Sequence, residues 1–388
     1  MPSNFRPSPN VTSGPTIASG SSHQMTGSLL VAGPITGTAG ILPLGGGAGS
    51  VLVGNGISSN TYGISIGNDA HSTALGGIAI GAGSRDLGSV DVAIGYQVSG
   101  GAGSSGNVAI GYLAKSTGPQ TVAIGSSATA DASTAVALGK FASGSGIAAV
   151  AIGYLATGSG DNSVGIGYAA NATAQGAFAL GKNSDATADD AISIGADSDA
   201  TNTSALAIGN GARAIVAYGV ALGWGASAGN GYSAIAIGSS ANAGGSGTPI
   251  SIGDSSEATQ NNDISIGPSA YGAGDSSIAL GVSAQSRADF TIAIGTNCSA
   301  SATDAIAIGG YATGSAQNTI AVGYNASASV QDTFVLGNQN IVKICDLTAS
   351  TGLTPAQKFA APVGGVYLYS VTGSLYVKNA AGTETKLS

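Results

Sequence analysis

Five aspartates crowd one short stretch of this chain: Asp185, Asp189, Asp190, Asp197 and Asp199. Carboxylates gathered on one surface can bind Ca²⁺, and two at suitable separation can act as acid and base in glycan cleavage. Arg213 follows Asp199 at the interval that separates Asp185 from Asp199. A solvated, charge-compensated face therefore accounts for the same residues, and it is the reading taken here. The Gly-Gly-x-Gly-x-Asp nonapeptide of calcium-binding solenoids is absent. The two histidines, His23 and His71, lie far apart and form no His-x-His pair. They also leave a Gly-x-Ser-x-Gly nucleophile without its partners. Cys298 and Cys345 give neither a disulfide framework nor a metal spacing. The sequence thus predicts no enzyme, no cofactor and no metal.

Aromatic residues offer a different chemistry. Tyr96, Tyr112, Tyr154, Tyr168, Trp224 and Tyr324 recur at one position of a repeat. Such a strip either stacks on sugars or pads a seam between chains, and packing is the commoner role of such rings. Tyr367, Tyr369 and Tyr376 lie outside the repeat, beside two turn signals. Exposed turns carry recognition disproportionately, so these three are the receptor-binding candidates.

The repeat is what must position all of these groups. Between Gly67 and Gly337 the phrase large apolar, small, large apolar, Gly occurs twenty times, as in Ile78-Ala79-Ile80-Gly81. Sixteen of the nineteen intervals between anchoring glycines are 14 residues, and the others are 16, 15 and 15. A period so regular predicts a stack of equivalent coils rather than separate globular domains. β-Branched residues at −3 and −1, counted from each glycine, favour a short strand. A glycine in every repeat argues against helix. The large residues are expected on one inner wall, and the small +3 and +5 residues on the other. The +4 position is polar and predicted to face solvent. Position −2 is Ala, Ser or Gly in all repeats but the last, which has Val335. A small, uncharged column pointing away from the large residues predicts close approach by another copy of the chain. The expected trimer interface is therefore Ala79, Ala93, Ala109, Ala123, Ala137, Ala151, Ala207, Ala221, Ala293 and Ala307. Stacking at about 4.8 Å per coil gives a rod of roughly 90–100 Å.

Composition agrees with a narrow interior. Of 388 residues 65 are Gly, and only 8% are charged, too few large side chains for a wide core. The net charge is −8 and the 11 basic residues are scattered, which excludes an electrostatic footprint for nucleic acid or an anionic membrane. No run of apolar residues is long enough for a membrane span, and the start lacks the apolar core of a secretory signal.

Three zones follow. Residues 1–50 are rich in Ser, Gly, Pro and Thr and are expected to be an attachment segment. Residues 51–340 are the repeat shaft, with Val51-Leu52-Val53-Gly54 as a degenerate capping coil. Residues 341–388 are expected to form a tip or a trimer clamp, with a small antiparallel β meander around Thr372-Gly373 and a short helix opening near Thr354–Phe359.

The phrase Gln120-Thr-Val-Ala-Ile-Gly-Ser-Ser-Ala-Thr-Ala130 closely resembles the head repeats of YadA-like trimeric autotransporter adhesins. That resemblance implies an all-β fold, a left-handed parallel β-roll assembled as a homotrimer. Two shorter stretches, Gly49–Gly56 and Gly364–Thr383, are similar to segments of bacteriophage tail fibres. The reading reached is a virion fibre, on tail or capsid, folded in the host cytoplasm. Its implied partners are itself, a virion protein bound through residues 1–50, and a host-surface glycan or protein, with no nucleic acid and no membrane insertion. The alternative is a bacterial cell-surface adhesin.

Overall fold

The computed structural model describes residues 50–53, 57–58, 61–101, 105–337, 367–371, 374–378 and 383–386. The expectations for residues 1–49, for a helix at Thr354–Phe359 and for Cys345 fall outside them.

The described chain is an all-β parallel solenoid. Each coil contributes one three-residue strand and one two-residue strand, such as Val136–Leu138 and Ser143–Gly144. The three-residue strands form a 21-stranded sheet running from Val51–Val53 to Phe334–Leu336. Each strand pairs in parallel with the equivalent strand of the next coil, so Ala123 faces Ala137 and Ala137 faces Ala151. The two-residue strands build a second open ladder in the same way, Thr129 to Ser143 to Thr157. Val51–Val53 pairs with Ile64–Ile66 and so does serve as a first rung.

Two bends close each coil. The first holds the anchoring glycine. Gly139 has φ +138°, and a Cβ there would lie 2.2 Å from the Gly153 carbonyl of the next coil. Glycine is required both by its dihedral and by the coil stacked on it. The second residue after it, here Phe141, is left-handed at φ 60°. The second bend has a left-handed residue too, such as Thr134 at φ 58°.

The interior is built almost wholly from small side chains. In the coil around Gly209 the inward positions are Ala205, Ala207, Ala212 and Ala214, each at most 1% exposed. The inside and outside of the three-residue strand are therefore the reverse of the sequence expectation. Ala79, Ala93, Ala109, Ala123, Ala137, Ala151, Ala207, Ala221, Ala293 and Ala307 are all 0% exposed, inside their own coils. They do not lie at a seam between chains. The reason is the thinness of the coil. At Gly158, on the two-residue strand, a Cβ would already stand 2.9 Å from the Val150 carbonyl of the opposite wall. No Ile or Leu fits between walls this close, so the large −3 and −1 residues point outward instead. Position −4, preceding the strand, is a fourth inward column. The +3 and +5 columns face inward as expected, and the +4 column is outside.

Three strands, Tyr367–Val371, Ser374–Lys378 and Glu384–Lys386, form a separate antiparallel sheet. Tyr369 pairs with Tyr376 across it.

Candidate functional site

The outward turn of the large residues gives the rod its dominant surface feature. Along the outer face of the three-residue sheet, aliphatic side chains at −3 and −1 are partly or largely exposed in coil after coil. Leu180, Ile192, Ile208, Leu280 and Ile308 are among the most exposed. Because the strands are in register, these residues form one unbroken apolar stripe from Val51 to Leu336. A contiguous patch of this extent on a soluble surface marks an interaction face.

Aromatic rungs border this stripe at the first bend. Tyr96 and Tyr112 stack with ring centroids 5.5 Å apart and planes 6° apart. Tyr154 stacks on Tyr168 at 5.2 Å, and Phe141 meets Tyr154 edge-on at 6.1 Å. The Lys140 ammonium lies 5.0 Å from the Phe141 ring centroid. Tyr311 meets Tyr324 edge-on. The sequence singled out only the +1 member of these pairs. Phe141 and Tyr311 sit one residue further on, and a search of both bend positions in adjacent coils would have found them. Trp224 is exposed and has no ring partner among the described residues.

The acidic group does not converge. Asp185, Asp199 and Arg213 are consecutive rungs of the two-residue ladder, and Arg213 Nε approaches Asp199 Oδ2 at 3.7 Å. Partial burial holds the Asp199 carboxyl above its ordinary range; Arg213 opposes that shift and Asp185 adds to it. Asp197 lies at the first bend, where Asn183 donates to it at 2.9 Å, and Asp190 lies at the second. Among the described residues no group of three or more His, Cys, Asp or Glu is placed to hold a metal ion. His71 Nε2 is 2.6 Å from Asp69 Oδ1 on the surface. Cys298 is fully buried at a +3 position, and burial pushes its thiol up to about 11, so it is a packing residue of low reactivity.

Buried polar groups gather in the first coils and again between Ser251 and Thr291. Asp86 accepts from Ser72 Oγ at 2.9 Å through one oxygen. Its other oxygen is buried with no hydrogen-bond partner, and burial raises its carboxyl to about 6. In the −4 column, Asp91 accepts from the Asn107 main chain at 2.9 Å and Nδ2 at 3.2 Å, and Asn107 Oδ1 in turn accepts from Thr121. These groups tie three coils together and face no solvent.

A family profile, the YadA head domain repeat, matches at residues 108–128, 116–142, 145–168, 159–184, 172–198, 186–212, 200–226, 273–297 and 315–340. These are YadA-like head repeats. Among solved structures, the collagen-binding domain of the Yersinia adhesin YadA is similar over 44% of this chain and 82% of its own, at 20% identity and a TM-score of 0.28. No curated protein matches the chain. The matched YadA-like segments fall inside the repeat array and include both the aromatic rungs around Tyr154 and the Asp185–Arg213 ladder. Among the described residues no helix is long and apolar enough to cross a membrane.

Proposed function

We propose that this chain is the subunit of a non-enzymatic homotrimeric fibre that mediates attachment to a host surface. The observation that carries the reading is the apolar stripe. A monomer would leave an aliphatic face along every coil in water, and the same face on further copies is the self-complementary cover for it. The resemblance to YadA-like heads supports three copies. The −3 and −1 residues, not the −2 alanines, are then the seam, with the first-bend rings beside it.

Within that reading the chain is a bacteriophage virion fibre, on the strength of the short tail-fibre-like stretches at Gly49–Gly56 and Gly364–Thr383. Residues 1–50 attach it to the virion, 51–340 form the shaft, and 341–388 form the tip or clamp, with Tyr367, Tyr369 and Tyr376 as its receptor-contacting residues. A bacterial surface adhesin is the second reading, favoured by the likeness to the head of an adhesin.

Sedimentation of the full chain tests the assembly, with a trimer expected and a monodisperse monomer overturning it. Mass spectrometry of purified virions against cell-surface fractions separates the two locations. Comparing cell adsorption of a trimeric truncation ending at Asn340 with that of the full fibre tests the tip. Adsorption retained by the truncation moves the receptor site onto the shaft.

A further inference from the structure

Between Gly67 and Gly337 the repeat breaks period three times, and strand register shows where the extra residues go. Val92 pairs with Val108, Val220 with Ile235, and Ile235 with Ile250. On the other ladder Ser99 pairs with Lys115, Ser227 with Asn242, and Asn242 with Glu257. Each insertion therefore lies after a two-residue strand and before the next three-residue strand. All three fall in the second bend. From Ile64 onward the first bend, with its stacked glycines, keeps one length; in the first coil it is one residue shorter, since Val51 pairs with Ile64 but Ile57 with His71. The second-bend edge of the rod is thus free to carry added structure.

Two of the insertions are consecutive, and together they build a wall. Gly231 takes φ +86°, and a Cβ there would meet the Gly247 and Gly245 carbonyls at 2.5 and 2.8 Å. The wall is pinned on both sides. Tyr232 N–H donates to Gly247 O and Ser233 N–H to Ala217 O. Asn230 Nδ2 reaches Gly244 O at 2.8 Å. Against this wall lies a cleft of about 380 Å³, lined by residues that include Asn202, Thr203, Ala217, Tyr218, Gly231 and Tyr232.

The lining has a specific chemical character. Tyr218 and Tyr232 are 52% and 63% exposed, with ring centroids 6.0 Å apart and planes tilted by 50°, so they form an open wedge. Neither phenol hydroxyl, nor that of Thr203, is hydrogen-bonded among the described residues. Ala217 adds a methyl surface, and no charged side chain lines the cleft. Rings with an apolar face and a polar tip, beside a hydroxyl and an amide, suit a ligand with C–H faces and a hydroxyl rim. The volume is at the small end of the ~300–1,000 Å³ range of small-molecule sites. The absence of a lining cation disfavours carboxylated or phosphorylated sugars.

We infer that the Tyr218–Tyr232 cleft is a binding subsite for a neutral saccharide unit, a hexose or N-acetylhexosamine, on the insertion edge of the rod. The inference rests on the host-attachment reading. Repeated along an oligomer, a weak subsite gains avidity.

The test uses the full chain and a panel of methyl glycosides of glucose, galactose, mannose, N-acetylglucosamine and N-acetylgalactosamine, with sialic acid as the anionic probe. Saturation-transfer NMR and calorimetry are expected to show binding of at least one neutral glycoside, and none of sialic acid. Tyr232→Ala and Tyr218→Ala are each expected to weaken it about tenfold, whereas Tyr271→Ala, on the outward +4 column, leaves it unchanged. Hydrogen exchange on the flanking strands checks that each variant retains its coils. A second variant, deleting Gly231, removes the wall and keeps both rings; it is expected to weaken binding as well. Absence of binding by every neutral glycoside overturns the inference, as does binding that survives both tyrosine substitutions. Cell adsorption is scored separately. Adsorbing wild-type fibre that binds no glycoside overturns the cleft and leaves attachment standing. Glycoside binding lost in Tyr232→Ala, in a fibre that adsorbs to no cell, sustains the cleft and overturns attachment.

Discussion

The hydroxyls of Ser193 and Ser198 meet inside one coil at 2.7 Å, one from each wall. Ser198 also donates to the Gly195 carbonyl at 3.0 Å, so the two form a short chain ending on the main chain. Ser251 and Ser256 repeat the arrangement at the same two positions. In these two coils the serine in the −2 column is matched by a serine at +3, which gives both buried hydroxyls a partner.

This pairing predicts an asymmetric mutant cycle. Ser198→Ala strands the Ser193 hydroxyl and is expected to cost about 1–3 kcal/mol locally. Ser193→Ala leaves Ser198 bonded to Gly195 O and is expected to cost less. Replacing both by Ala, the residue at these sites in most coils, is expected to be close to neutral. Hydrogen exchange of strand Ile192–Ile194 reads all three, and equal cost in both single variants would contradict the arrangement.

Neighbouring residues of one strand should fail in different ways. Ala207 is inside the coil and Ile208 outside. Ala207→Leu is expected to open the coil, since overpacking a filled interior costs about 1–3 kcal/mol and here the opposite wall cannot retreat. Ile208→Lys is expected to leave the coil's exchange protection intact and to weaken assembly in sedimentation. Unchanged protection in the Ala207→Leu variant would return the small column to the surface.

Acidification should tighten the first coils. The Asp86 carboxyl titrates at about 6 when folded, above its ordinary value of 3.8. Between these values the folded state holds the extra proton, so stability falls as pH rises through this window and is greatest below it. Asp91 and Asp263 are also raised by burial and act in the same sense. Protection at residues 71–86, taken as exchange relative to the intrinsic amide rate at each pH, is expected to rise from pH 7.5 to pH 5, and Asp86→Asn to remove most of that rise. Lower protection at pH 5 than at pH 7.5 in the wild type would reverse the sign and refute this assignment.

Deleting a whole coil, residues 137–150, is expected to shorten the rod by about 5 Å and leave both ladders paired. Deleting seven residues would place one ladder's residues on the other wall and is expected to abolish folding beyond the cut. Small-angle scattering and circular dichroism distinguish the two, and similar damage from both would contradict equivalent stacked coils.

The fold was legible because its signal is repetition. Twenty in-register copies announce both strands, both bends and the parallel stacking without any knowledge of the core. Facing was the part that misled. Alternation of Ile, Ala and Ile separates two faces but does not say which is buried, and large apolar residues are ordinarily the buried ones. The deciding quantity is the distance between walls, seen in how close a Cβ on Gly158 would come to the Val150 carbonyl. Sequence spacing carries no such distance. The −4 column held the missing hint, since Ala135, Ala149, Ala177, Ala191 and Ala205 make a second small column in the same strand phase as −2. The Tyr218–Tyr232 cleft was hidden for a different reason. Its two rings are brought together by an insertion whose placement in the second bend follows only from register.

The stacking of coils through hydrogen bonds directed along the rod also fixes how it yields to tension. A pull from the two ends tests the rungs in series, so the weakest coil peels away while its neighbours stay whole. Each released coil lengthens the thread by about 43 Å, fourteen residues at roughly 3.4 Å less one rung spacing. A fibre tugged by flow or by a moving cell would give ground in small, repeatable steps, absorbing shocks that would snap a joint made in shear.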